Sequence, residues 1–241
     1  MKFLRSKVLF VCFFGIFRFG LVAQNDAAYL LLDKKIGLDN SMLSNGIESL
    51  DKEITINTKN KYFTTSQDFN TSSIIYENYY YPNVRLKFNV HDDIVLVQMP
   101  VQNKYSTFQL ITPRIQQFSL NGHTFENIGQ QTNNDYPGFY ENLFQGDSIK
   151  LLKKYRKSFK KKMDRDYIYY EFEPTDSEFI FEYEDKFYTA DYKRELLSVF
   201  PDQKSEIKKF YREYRSVLRN QPEQFMVELF KDISSQLEKS E

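Results

Sequence analysis

Between Glu53 and Phe125 the apolar residues of this chain recur at every second position: Ile54 and Ile56, then Leu86, Phe88 and Val90, Val95, Val97 and Met99, Phe108 and Leu110, Phe118 and Leu120. Successive side chains leave a strand on opposite sides, so a period of two with polar residues between marks strands with one packed face and one wet face. The interruptions carry turn chemistry, at His91-Asp92-Asp93, Thr112-Pro113 and Asn121-Gly122. Turns this short join neighbouring strands as antiparallel hairpins. Further strands are expected over residues 139–144, 149–155 and 167–172, with a hairpin over 179–188 that turns at Glu184-Asp185-Lys186. Residues 126–137 offer almost nothing to bury and read as a long surface loop.

The last quarter changes period. Asp191 stands where it can cap a short helix carrying Leu196, Leu197 and Phe200. Pro201-Asp202 restarts a second helix with Ile207, Phe210, Tyr211, Tyr214, Val217 and Leu218 three and four apart, and Asn220-Gln221-Pro222 opens a third with Phe225, Met226, Leu229, Phe230, Ile233 and Leu237 on one stripe. Such stripes need a partner surface, and the sheet is the natural one. The expected class is therefore α+β: a largely antiparallel sheet over residues 24–190, followed by helices over 191–241 that pack on it. Residues 26–50 fit either a short helix or a leading arm. The 23 Phe and 18 Tyr, with no Trp, suit half-buried pleated surfaces.

Residues 1–23 read as a secretory signal peptide: Lys2, Arg5 and Lys7, an apolar run from Val8 to Phe17, and Leu21-Val22-Ala23 ahead of Gln24. A spanning helix needs about 20 apolar residues, and this run is shorter and followed by Arg18. The expectation is an exported protein, periplasmic or extracellular, with no stable membrane span after cleavage. Cys12, the only cysteine, lies within the leader, so the mature chain has no disulfide and no thiol nucleophile. The leader holds four of the 33 basic residues and none of the 33 acidic ones, leaving 29 against 33, or −4. That balance gives no global reason to bind nucleic acid.

The sequence has no G-x-S-x-G elbow, no H-E-x-x-H and no glycine-rich phosphate loop. His91 beside Asp92 and Asp93, and His123 after Gly122, lack zinc-site spacing and read as turn residues. No catalytic residue, metal or cofactor is assigned, although a carboxylate pair distant in sequence stays open. Two stretches are candidate binding surfaces. In the basic run 150–162, Lys160, Lys161 and Lys162 suit an anionic ligand or lipid headgroup, or else form the solvated lysine-rich face of a strand or helix leading into a loop. Tyr79, Tyr80 and Tyr81 suit a sugar or peptide platform, or else a strand with one ring in the core and the next lying flat on the sheet.

One resemblance adds to this. Gly138-Phe139-Tyr140-Glu141, Leu143 and Gly146, then Phe187-Tyr188, Leu196-Leu197 with Phe200-Pro201-Asp202, and Ile207-Lys208-Lys209-Phe210 occur in an order that resembles a group of uncharacterised secreted proteins from Bacteroidetes-type Gram-negative bacteria, over about residues 60–215. The resemblance implies an exported bacterial protein and adds no mechanism. The function expected is a non-catalytic interaction or structural module with an envelope partner. The alternatives are a carrier of an apolar ligand or lipoprotein chain in a curved sheet, and a carboxylate-dependent hydrolase.

Overall fold

The computed structural model describes residues 37, 41–49, 53–55, 58–101, 104–130 and 135–240. The expected leader over residues 1–23, with Cys12, and residues 24–36 lie outside the described residues. The strands run β1 (Ile47–Glu48), β2 (Asn70–Tyr76), β3 (Tyr79–Asn89), β4 (Ile94–Val101), β5 (Lys104–Gln109), β6 (Ile115–Leu120), β7 (His123–Asn127), β8 (Phe139–Gln145), β9 (Ile149–Lys154), β10 (Lys157–Met163), β11 (Ile168–Pro174), β12 (Glu178–Tyr183) and β13 (Lys186–Thr189). Eleven of them form one sheet in the order β1-β5-β4-β3-β2-β6-β7-β8-β9-β12-β13, paired antiparallel throughout. β10 and β11 form a separate two-stranded ribbon, bridged on the β11 side by Thr55 opposite Tyr170. Four helices follow, α1 (Lys193–Val199), α2 (Lys204–Glu213), α3 (Arg215–Asn220) and α4 (Pro222–Ser240).

The turns are those the sequence marks. Asn121 and Gly122 both take left-handed backbone angles, φ 52° and 83°, as a two-residue hairpin that follows the strand twist requires. Glu77-Asn78 and Glu184-Asp185 do the same without glycine.

The alternating residues share one face, and that face closes on itself. Phe88 on β3 lies 5.7 Å from Phe139 on β8, centroid to centroid, although three strands separate them in the sheet. In a flat sheet strands four steps apart stand about 19 Å apart. The sheet therefore curls around its own rings: Phe118 stacks on Phe125 at 4.9 Å, and Phe88 meets both within 5.3 Å. Val84, Leu86, Val95, Val97, Met99 and Leu120 fill the rest of this first core.

Beyond β8 the same face continues and the helices cover it. Ile149, Leu151, Phe179 and Phe181 meet Phe225, Leu229, Phe230 and Ile233 of α4, with Phe181 5.3 Å from Phe230. Pro222, whose missing N–H costs nothing at a first helical position, starts that helix. On the reverse face Ile128, Tyr140, Leu152 and Ile180 make a small third core.

Three expectations need correction, and one open choice is narrowed. The stretch 126–137 is not all surface: β7 runs to Asn127, Ile128 is buried, and Tyr136 packs on the third core. Asp191 does not cap α1; its carboxylate accepts the Phe179 N–H at 2.9 Å, holding the end of the β12–β13 hairpin, and Tyr192 takes the cap position with no side-chain bond. The second helical stripe is broken at Tyr214 into α2 and α3. Within 26–50 the described part is an arm, with a 3₁₀ turn at Met42–Asn45 that buries Leu43 in the first core and β1 laid along β5.

Phe118→Ala, at the centre of the ring cluster, is expected to cost about 3–5 kcal/mol, whereas Tyr105→Ala on the exposed edge stays within about 1 kcal/mol. Urea unfolding monitored by circular dichroism measures both.

Candidate functional site

Where the first core gives way to the helix-covered region, the shared face becomes charged. Phe125 pairs with Glu141 across β7 and β8, and Glu141 with Lys153 across β8 and β9. His123, two residues before Phe125, projects on the same side. Glu141, with its side chain 8% exposed, accepts one hydrogen bond from His123 Nδ1 and one from the Tyr155 hydroxyl, each at 2.5 Å. Lys153 Nζ lies 4.0 Å from the Tyr155 ring centroid and donates to Glu223 at 2.5 Å. Glu223 sits in the first turn of α4, where the helix dipole favours a carboxylate.

This seam ties β7, β8, β9 and α4 together. Both oxygens of Glu141 are committed to side chains of the protein, and the lysine to a carboxylate and a ring. Its chemistry is that of a clamp between two cores, since a substrate would have to displace His123 or Tyr155 to reach the carboxylate. His123 is thus more than the hairpin residue that its neighbours Asn121-Gly122 suggest. Pairing the Asn121-Gly122 hairpin with the strand at Phe139 puts His123 and Glu141 on one face, so the signal was register rather than motif.

The turn His91-Asp92-Asp93 forms as expected. The Asn89 side chain closes it by accepting the His91 and Asp92 N–H groups at 3.1 Å. It is also an anchor. His91 Nδ1 bonds the Lys157 carbonyl at 2.8 Å, and its ring stands edge-on to Phe159 and Phe172 of the ribbon at 5.3 and 5.2 Å. Asp93 reaches the other way, to Lys154 Nζ at 2.8 Å. Gly138 has φ 95°, and a Cβ there would run into that ion pair, so only glycine fits.

The basic run divides between two sheets. Lys150 pairs with Glu126 and Glu182, Lys153 with Glu223, Lys154 with Asp93 and Arg156 with Glu178, all within the body. Lys157 through Lys162 lie in β10, so of the two element types open for these lysines the structure has the strand. Lys160 pairs with Glu173, while Lys161 and Lys162 sit opposite Tyr170 and Tyr169. With them the ribbon exposes Phe159, Met163, Tyr167 and Ile168, Met163 at 82%.

The tyrosines do not make one platform. Tyr81 is buried in the first core and Tyr79 packs against it, 4.8 Å away, while Tyr80 projects from the opposite face. They belong to the main sheet and the three lysines to the ribbon, so the two candidate surfaces are not brought together. Comparison with known proteins finds no matching family model, no matching curated protein and no matching solved structure.

Glu141→Ala strips the half-buried His123 and Tyr155 donors of their shared acceptor and is expected to cost about 1–3 kcal/mol in urea unfolding, with Glu141→Gln costing less. The tyrosines give a pH dependence. Burial, and next the hydrogen bond to Glu141, hold the Tyr155 hydroxyl far above its ordinary value of 10.0, and burial also raises Tyr140 and lifts Tyr211 to about 12. A folded-state value raised above the unfolded one means stability is full below pH 10 and falls as pH climbs beyond it, because the unfolded chain loses these protons first. Urea midpoints at pH 8 and pH 11 are expected to differ, and Tyr155→Phe to shrink the difference.

Proposed function

We propose that this protein is an exported, non-catalytic interaction module of the bacterial envelope, and that its contact surface is the β10–β11 ribbon. The observation that carries the reading is the ribbon itself: paired with no strand of the main sheet, it presents Phe159, Met163, Tyr167 and Ile168 beside Lys161 and Lys162. Apolar residues gathered on an exposed element mark contact sites more often than isolated ones do.

Export rests on the leader composition, and the likeness to the secreted Bacteroidetes-type group agrees with it. The carrier alternative draws less support, because the concave face that would hold an apolar chain is filled by the protein's own rings. The hydrolase alternative draws less as well, because the buried carboxylate of the seam is fully engaged by His123 and Tyr155.

Met163→Ser with Ile168→Ser, both at exposed positions, is expected to leave the melting temperature within about 2 °C of wild type. The same pair of changes is expected to abolish capture of an envelope protein in a pull-down from envelope extract. Unchanged capture by the double variant counts against the ribbon as the contact surface.

A further inference from the structure

The hydrogen-bond parity of the ribbon determines which backbone groups are spoken for. Asp164 N–H bonds the Tyr167 carbonyl across the turn, so Asp164 and Tyr167 form the closing hydrogen-bonded pair. In an antiparallel ladder bonded and non-bonded pairs alternate. From the register, the pairs Lys162–Tyr169, Lys160–Glu171 and Ser158–Glu173 face inward, and the backbone groups of Met163, Lys161, Phe159 and Lys157 point outward from β10. Two further bonds agree with that parity. The outward Lys157 carbonyl is the one His91 takes, and on β11 the outward N–H groups of Tyr170 and Phe172 bond the carbonyls of Ile54 and Lys59.

The two edges are therefore unequal. The outer edge of β11 is covered by Ile54, Thr55 and Lys59, whereas along β10, among the described residues, cover stops at Lys157. Phe159, Lys161 and Met163 offer an open row of N–H and carbonyl groups.

The geometry points to this edge as the acceptor for an added strand from a partner protein, an extended peptide that alternates acidic and apolar residues. This inference rests on the reading of the ribbon as the contact surface and specifies its ligand. Side chains on the two faces of β10 set the chemistry. One face carries Ser158, Lys160 and Lys162; Lys160 is held by Glu173 within the ribbon, and Lys162, opposite Tyr169, calls for a carboxylate on an incoming strand. The other carries Phe159 and Met163, 48% and 82% exposed, which calls for apolar side chains, with Lys161 between them. Lysines along an edge repel a second copy of the same edge. They attract an acidic strand, so the same residues that block self-pairing select the partner. A lipid surface fits less well, because the turn at the ribbon's tip is Asp164-Arg165-Asp166 and would lead with two carboxylates.

The test uses the mature chain, a short peptide alternating Glu and Val, the same peptide with Lys for Glu, and the Glu-Val peptide N-methylated on alternate amides. Fluorescence anisotropy is expected to show binding of the Glu-Val peptide only. Met163→Pro, which removes an outward donor and no inward one, is expected to weaken binding about tenfold, and Met163→Ala, which keeps it, by no more than about threefold. Lys161→Glu with Lys162→Glu, both at exposed positions, is expected to weaken it about tenfold. Equal binding of the Lys-Val or N-methylated peptide overturns strand addition, and so does binding to phosphatidylglycerol vesicles in place of the peptide. If the Met163→Ser, Ile168→Ser pair still loses its envelope partner in that event, the ribbon reading survives and only its ligand is wrong.

Discussion

Contact between Phe88 and Phe139 across the curl of the sheet is the constraint on which the remaining architecture depends. Antiparallel sheets are ordinarily half wet, and eleven strands laid flat would expose a long apolar face with nothing to cover it. Four helices near the C-terminus cannot roof that width. By curling, the sheet covers half of the face with its own phenylalanines and leaves only β8, β9, β12 and β13 for the helices. Two cores thus share one continuous surface.

Sharing a surface creates a boundary, and the boundary is polar. Glu141, His123, Tyr155, Lys153 and Glu223 occupy the row where ring packing ends and helix packing begins. Each charged or hydroxyl group finds a partner there, which burial requires. Replacing the row with apolar residues would join the two cores at the expense of the direction these bonds supply. The seam fixes where α4 starts, because its first-turn carboxylate is held by a lysine rooted in β9.

Much of this could be read from residue order alone, and the parts that could not share a cause. Alternation located the strands from Leu86 onward, turn residues located the hairpins, and the three-and-four spacing located the helices, all of which are local signals. The curl depends on pairing β2 with β6, and nothing local announces it. For the same reason Ile128 looked like a loop residue until Tyr140, Leu152 and Ile180 closed around it. The motif Gly138-Phe139-Tyr140-Glu141 was visible as a pattern without a reason. In the structure its four residues make room for an ion pair, fill the first core, fill the third core and accept the seam's two hydrogen bonds. The basic run was visible too, but only strand register separates the lysines spent on internal pairs from those presented outward.

The turn after β3 has a mechanical role that follows from its two grips. His91 holds the base of the ribbon, and Asp93, two residues on, holds Lys154 at the end of β9. Only Tyr155 and Arg156 link β9 to β10, and the turn grips the residue on either side of that link, so the corner braces the covalent hinge between ribbon and sheet against bending.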